Sequence, residues 1–348
     1  MNPWVLFVLV ASLGLGTTIT FASSHWLLAW MGLEINTLAI IPLMAQHHHP
    51  RAVEAATKYF LTQAAAAALM LFATTSNAWM LGEWHIQQLS HPLAITITLI
   101  SLGMKVGLAP THLWLPEVLQ GLDLTTGLVL STWQKLAPMV LIYQLAPNVD
   151  HSLLLIIGLT SALVGGWGGL NQTQLRKILA YSSIAHMGWM IIVLKYAPNL
   201  MILNLAIYIV MTSTAFLTLK TVSATKINVL ATTWTKAPTM TTITMLTLLS
   251  LGGLPPLTGF MPKWMILEEL TKQDLPGTAT IMALAALLSL FFYLRLCYNM
   301  TLTSGPNTNN NKSPWRLETN ATMAPLPIMA TASLMILPLT PTAMALLM

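Results

Sequence analysis

The chain has 348 residues, of which 55% are hydrophobic and only 7% are charged. A soluble globular domain carries about 25% charged residues, so this composition excludes a water-facing globular fold and predicts an all-α polytopic membrane protein. The single cysteine, Cys297, excludes a disulfide framework and a cysteine-ligated iron–sulfur cluster.

Hydropathy and helix breakers predict about 11 transmembrane spans, each near the ~20 residues that cross a bilayer as a helix. In chain order the predicted spans are 3–22, 25–45, 54–79, 93–112, 124–146, 150–171, 175–195, 199–221, 239–270, 276–302 and 322–347.

The net charge of +5 follows the predicted topology. When the loops are placed alternately on the two sides of the membrane, the basic residues collect on the side of the N-terminus, which predicts a matrix or cytoplasmic N-terminus. The N-terminal residues have no basic n-region and no Arg-rich presequence, which suggests a bacterial membrane protein or one made inside an organelle. The 22 methionines and the few acidic residues favour the organelle. The residues on the N-terminal side are Arg51, Lys58, Arg176, Lys177, Lys220, Lys226, Lys236, Lys312 and Arg316, against Lys195 and Lys272 on the other.

Two predicted spans are interrupted by glycine and proline. Residues 101–117 and 250–264 both begin with Ser-Leu-Gly and both carry Gly and Pro in mid-span. Proline removes a backbone donor and clashes with the preceding turn, so we predict that both helices break inside the membrane. A pair of interrupted spans in corresponding halves of a chain indicates a transporter core with inverted repeats.

Four charged residues lie far from any predicted membrane surface: Glu34, Lys105, Lys135 and Lys263. Each costs roughly 2.5–3.5 kcal/mol in the hydrocarbon region on insertion scales. For a single residue of this kind, a structural explanation (an ion pair or a snorkelling lysine) is as good as a functional one. Four such residues in different spans favour a function. A glutamate–lysine pair whose spacing changes also changes the proton affinity of the lysine, and Glu34 with Lys105 is the natural pair.

Other titratable residues have ordinary explanations beside the functional ones. His112 and His186 lie in or near predicted spans, where a neutral imidazole can relay protons, but such a histidine is more often satisfied within a helix interface. Lys58 follows Glu54 by four residues, so an i,i+4 ion pair explains it. The histidines at 47–49 lie in a short loop without an acidic partner, and we predict no metal site.

Residues 171–189 read NQTQLRKILAYSSIAHMGW and resemble the signature of the antiporter-like subunits of respiratory NADH dehydrogenases. Segments 23–26, 57–63, 112–118 and 251–260 narrow the resemblance to the vertebrate mitochondrial chain 2 branch of that family. The similarity extends from the N-terminus to about Leu296. The remaining residues match loosely, and we expect them only to anchor the chain.

The resemblance implies a fold of two inverted five-helix repeats, 3–146 and 150–302, with a closing helix at 322–347. Bacterial members carry further N-terminal helices, so a neighbouring subunit is expected to cover the face that this shorter chain leaves.

The resemblance also implies roles for the buried charges. Glu34 and Lys105 would be a coupling pair, Lys135 a central relay and Lys263 the end of the proton path. The two histidines at 112 and 186 match polar positions along the hydrated axis of the family.

The function implied by the resemblance is that of a core membrane subunit of mitochondrial respiratory complex I, in the inner membrane. The chain would translocate protons and bind no cofactor, because NADH, FMN, iron–sulfur clusters and ubiquinone are used elsewhere in the complex. Its expected partners are other membrane-arm subunits, accessory subunits, inner-membrane phospholipids and protons, and no nucleic acid. The residues alone leave two alternatives open, a stand-alone cation/proton antiporter and a passive scaffold of the membrane arm.

Overall fold

The computed structural model describes residues 2–46, 49–302 and 325–347, and helices are the only regular elements within those ranges. The chain forms two compact units, Met1–Ser161 and Ala162–Met348. The units divide inside the helix His151–Gly168. The division into repeats at 3–146 and 150–302 stays a prediction.

Helices of the first unit begin at prolines and polar caps. Proline occupies the first turn of α1, α3 and α4, where its missing N–H costs nothing. The side chain of Asn2 accepts from the Trp4 N–H and that of His49 from the Arg51 N–H, both at 3.2 Å, which caps α1 and α3. The other histidines of the 47–49 run lie outside the described residues. In chain order the helices are α1 (Pro3–Ala22), α2 (Trp26–Met44), α3 (Pro50–Leu81), α4 (Pro92–Val106), α5 (Trp114–Gly121), α6 (Leu124–Ser131), α7 (Trp133–Leu145) and α8 (His151–Gly168), which continues into the second unit.

The second unit is helical in the same way, and proline again begins α10 and α13. Its helices within the described ranges are α9 (Leu175–Val193), α10 (Pro198–Thr221), α11 (Ile227–Ala231), α12 (Thr233–Lys236), α13 (Pro238–Gly252), α14 (Phe260–Lys272), α15 (Pro276–Leu302), α16 (Pro325–Met335) and α17 (Thr340–Leu347).

Six helices among the described residues are long and apolar enough to cross a membrane: α1, α2, α3, α8, α10 and α15. They leave large apolar side chains uncovered, among them Trp4, Phe7 and Trp79, as a lipid-facing surface requires. The predicted all-α membrane fold is confirmed, whereas the count of about 11 spans stays a prediction. Two basic residues used for the topology, Lys312 and Arg316, lie outside the described ranges.

Both predicted helix breaks are present, and they share one backbone geometry. A left-handed glycine ends the first helix of each pair, Gly107 at φ 87° and Gly253 at φ 82°. The N–H of each glycine, and that of the following leucine, bonds the carbonyl four residues before the glycine, which satisfies helix-terminal carbonyls. Each break also contains a cis X–Pro bond.

The register between the two breaks differs from the one that the shared Ser-Leu-Gly suggests. Gly107 corresponds to Gly253, and the first residue of α5, Trp114, corresponds to Phe260 of α14. Both pairs are 146 residues apart, whereas the Ser-Leu-Gly segments are 149 apart. The left-handed glycine and the restart of the helix set the correspondence, because the backbone requires them and the Ser-Leu-Gly segment lies in a regular helix.

Two further interruptions differ from the predicted continuous spans. The span 124–146 is broken at Thr132, whose hydroxyl donates to the Leu128 carbonyl at 2.7 Å. Pro138 in α7 has no N–H to donate to the Gln134 carbonyl, and the missing hydrogen bond further weakens the helix. The last span begins outside the described residues and divides at a 3₁₀ turn, Leu337–Leu339.

Candidate functional site

A small polar cavity lies inside the first unit, where α2 to α7 each contribute side chains. Its volume is about 10 Å³, the space that one water molecule needs. Lys105 and Lys135 both line it, so the structure brings two of the four predicted charges to one cavity. The polar and aromatic side chains that accompany them are Asn36, Thr37, Tyr59, Gln63, Trp114 and Gln134.

The two lysines of the cavity lie at helix interruptions. Lys105 is in the last turn of α4, two residues before Gly107, and 6% of it is exposed. Its Nζ is buried and makes no hydrogen bond within the described part of the chain. Lys135 is in the first turn of α7, after the interruption at Thr132, and is 2% exposed. Burial without a hydrogen-bond partner penalises an ammonium group, so the Lys105 site holds its charge at a cost.

Glu34 lies on α2, half-buried, and does not line the cavity. One of its carboxylate oxygens, Oε2, is buried without a hydrogen-bond partner among the described residues. No direct ion pair joins Glu34 to Lys105 in those residues, although Glu34 acts electrostatically on both Lys105 and Tyr59. The predicted coupling between the two residues stays a prediction.

Lys263 is held differently, at the break of the second unit. It lies in the first turn of α14, and its Nζ donates to the carbonyls of Gly252 at 2.8 Å and Leu251 at 3.3 Å. The ammonium thereby caps the C-terminal end of α13, where carbonyls lack partners and a cation is favoured. Gly253 makes room for it, because a Cβ there would lie 2.8 Å from the Lys263 Cδ.

The two predicted histidines lie in different units. His112 is buried in the segment between α4 and α5 and is hydrogen-bonded to the backbone of Pro110. His186 is buried in the middle of α9, and its ring centroid is 5.5 Å from that of Tyr208. The structure thus places His112 at a helix break and His186 in a helix interface, and their roles as relays stay predictions.

Lys58 has a second partner that the sequence did not indicate. Its Nζ lies 2.9 Å from Glu54, the predicted i,i+4 pair, and 2.8 Å from Glu117 on α5. The exposed fraction of the side chain is 43% for Lys58, 62% for Glu54 and 54% for Glu117. Lys58 and Glu117 are 59 residues apart, so no local spacing rule could have paired them.

The polar side chains that line the cavity beside the lysines were also not predicted from the sequence. Tyr59 and Gln63 occupy the buried face of α3, which is otherwise rich in alanine. Their i,i+4 spacing could have predicted that both side chains share one face of a helix. Gln134 precedes Lys135 directly, and its Nε2 donates to the Asn36 carbonyl at 3.2 Å, which ties α7 to α2.

Comparison with known proteins gives the family. Residues 23–289 match the family described as NADH:quinone oxidoreductase/Mrp antiporter, TM, and residues 290–344 match NADH dehydrogenase subunit 2 C-terminus. The protein named NADH-ubiquinone oxidoreductase chain 2 in Carassius auratus is 71% identical to the chain over 98% of both. Its namesake in Formosania lacustris is 69% identical over 99% of both. The chain belongs to the NADH-ubiquinone oxidoreductase chain 2 family.

Membership of the chain 2 family confirms the resemblance and corrects one expectation. The C-terminal match at residues 290–344 and the nearly complete coverage of the relatives extend the similarity beyond Leu296. The expectation that the residues after Leu296 match the family only loosely was therefore wrong.

A solved structure agrees with the fold of the chain 2 family member. A chain of respiratory complex I from Thermus thermophilus superposes with a TM-score of 0.81 at 27% identity, over 97% of this chain and 80% of that one. The antiporter-like helical fold predicted from the sequence is thereby confirmed.

Proposed function

We propose that the chain is an antiporter-like membrane subunit of a mitochondrial NADH–ubiquinone oxidoreductase and carries protons through its buried lysines. The observation that carries the proposal is the polar cavity that joins Lys105 and Lys135 beside a broken helix. Two lysine side chains buried at one cavity inside a membrane protein are costly, and such residues commonly mark a proton path.

In the proposed mechanism, Glu34 changes the electrostatic environment of Lys105, Lys105 exchanges a proton with Lys135 through water in the cavity, and Lys263 serves the second unit. The chain does no redox chemistry and holds no cofactor in this mechanism. NADH, FMN, iron–sulfur clusters and ubiquinone are used by other subunits.

The energy scale suits this mechanism. Moving one proton charge against 100 mV costs ~2.3 kcal/mol. A hydrogen bond to a charged group contributes about 1.5–3 kcal/mol, so gaining or losing one such bond at Lys105 is enough to drive a step of that size.

The proposed location is the inner mitochondrial membrane, with the N-terminus in the matrix and the C-terminus on the other side. The excess of basic residues on the N-terminal side supports this orientation. The proposed partners are the other membrane-arm and accessory subunits, together with the surrounding phospholipids.

Native electrophoresis of inner membranes in mild detergent, with an in-gel stain for NADH oxidation and mass spectrometry for this chain, tests the assignment. We expect the chain in the large NADH-oxidising band. Migration as a small separate species would favour a stand-alone antiporter, and cation-dependent transport would then be assayed.

Substitution at the cavity tests the mechanism. Lys135→Ala is expected to reduce quinone-coupled turnover while NADH oxidation by artificial acceptors continues, because only the proton path is changed. Unchanged proton translocation and quinone reduction would favour a passive scaffold instead.

A further inference from the structure

The second half of each broken helix begins in the same way. Residues 114–117 read Trp-Leu-Pro-Glu and residues 260–263 read Phe-Met-Pro-Lys. Glu117 is the fourth residue of α5, and Lys263 is the fourth residue of α14. Because Gly107 and Gly253 precede these helices by the same distance, Glu117 occupies the position in the first break that Lys263 occupies in the second.

Glu117 is held by an ammonium group that it shares with another carboxylate. Lys58 binds Glu117 at 2.8 Å and Glu54 at 2.9 Å. Arg51, one turn before Glu54 on α3, acts electrostatically on Glu54. The group of two carboxylates and Lys58 carries one negative charge. A proton therefore neutralises Glu117 without leaving Lys58 unpaired, because Glu54 still holds the ammonium.

The contact between α3 and α5 links this triad to the cavity. The rings of Tyr59 and Trp114 lie 5.7 Å apart between them, and both rings line the cavity with Lys105. The Trp114 Nε1 donates to the carbonyl of Met104 at 3.0 Å, directly before Lys105. The carboxylates lie on the exposed side of this contact and the cavity on its buried side.

The close approach of α5 to α3 fixes that arrangement. At the end of α5, a Cβ added to Gly121 would lie 2.6 Å from the Arg51 carbonyl oxygen and 2.7 Å from the Ala55 Cβ. Glycine is therefore required there for the helices to approach closely. Glu117 and Trp114 lie one turn apart on the same short helix.

We propose that Glu117 is a further proton-binding residue of the chain and the counterpart, in the first unit, of Lys263. The carboxylate accepts a proton on its exposed side, the charge pairing between Lys58 and Glu117 is lost, and Lys58 stays paired with Glu54. Loss of the proton from Glu117 to water restores the original bridge. This inference rests on the proposed function of the chain in proton translocation.

The test uses Glu117→Gln in the assembled complex in sealed membrane vesicles. Glutamine still accepts a hydrogen bond from Lys58 but cannot bind the proton. A positioned proton-transfer group contributes roughly 10²–10⁴-fold to a rate, so we expect coupled proton translocation to slow by at least ~tenfold. We also expect loss of the infrared band of a protonated carboxylic acid during turnover. Glu83→Gln is the matched control, because Glu83 is exposed in the loop after α3, and it should change neither signal.

Normal translocation with the band retained in Glu117→Gln would overturn the proposal. If Glu117→Gln does not assemble, Glu117→Asp is measured instead. We expect its carboxylic acid band to persist at a shifted frequency. An unshifted band would show that another residue gives the band and would overturn the proposal. Lys105→Met is measured in parallel. Normal translocation by Lys105→Met would refute the proposed function itself, whereas loss with Lys105→Met and none with Glu117→Gln would refute only the role of Glu117.

Discussion

At the break between α4 and α5, Lys105 precedes the left-handed glycine and its amino group has no hydrogen-bond partner in the described chain. At the break between α13 and α14, Lys263 follows the glycine and donates to two carbonyls at the end of α13. The backbone geometry of the two breaks is the same, so the position of the lysine relative to the turn decides what the amino group contacts.

The two lysines differ in what surrounds their amino groups. The carbonyls at Lys263 stabilise the ammonium form and make the residue part of the helix end. Lys105 has only the cavity and the electrostatic influence of Glu34, so little stabilises its charge. We infer that Lys263 contributes to the stability of its break through these two hydrogen bonds and that Lys105 makes no such contribution.

The largest expected effect comes from Lys105→Met. Removing the amine removes the proton-exchanging group of the cavity, and we expect quinone reduction coupled to proton translocation to fall at least ~tenfold. Assembly of the complex should be unchanged or improved, because an unpaired buried charge is replaced by an apolar side chain of similar length. The quinone reductase rate and the amount of complex on a native gel measure the two effects. Reduced assembly would contradict the difference drawn between the breaks.

Substitution at the second break should instead reduce stability. Lys263→Met leaves the carbonyls of Gly252 and Leu251 without a donor, at a cost of about 1–3 kcal/mol. Lys263→Arg keeps a cation that can donate to them and should restore most of the stability. Thermal inactivation of the complex in detergent measures the effect. Equal stability of the Met and Arg variants would show that the cap contributes nothing.

The two glycines provide a matched pair of smaller changes. Alanine at positive φ costs roughly 1–2 kcal/mol at either break. At Gly253 the new Cβ would also lie 2.8 Å from the Lys263 side chain, whereas at Gly107 the nearest atom is the Leu115 Cδ1 at 3.1 Å. We therefore expect Gly253→Ala to reduce proton translocation more than Gly107→Ala. Proton uptake traces of both variants in vesicles make the comparison, and equal loss would mean that backbone strain alone matters.

The smallest expected effect is at the cavity wall. Gln63→Met keeps the length of the side chain but removes a polar group that faces the space for one water. A net hydrogen bond contributes about 0.5–1.5 kcal/mol, so we expect the coupled rate to slow by about threefold, or ~0.7 kcal/mol. Steady-state rates at saturating NADH measure it. A change as large as that of Lys105→Met would assign a direct role to Gln63.

The sequence predicted the class of protein, both helix breaks and the burial of Lys105 and Lys135, because glycine, proline and charge in an apolar chain have few alternatives. The shared Ser-Leu-Gly did not reveal the register between the two breaks, because the left-handed glycines and the restarts of the helices set it. The shared cavity of Lys105 and Lys135 and the bridge from Lys58 to Glu117 join different helices. Only tertiary packing brings these residues together, so no local sequence pattern predicts either contact.

The most direct test counts protons per NADH oxidised for Lys105→Met and Lys263→Met in the same vesicle preparation, with the amount of assembled complex measured in each. We expect that Lys105→Met assembles fully and translocates fewer protons, while Lys263→Met loses both assembled complex and protons. Two variants with the same profile, or a Lys105→Met complex with an unchanged proton count, would contradict it.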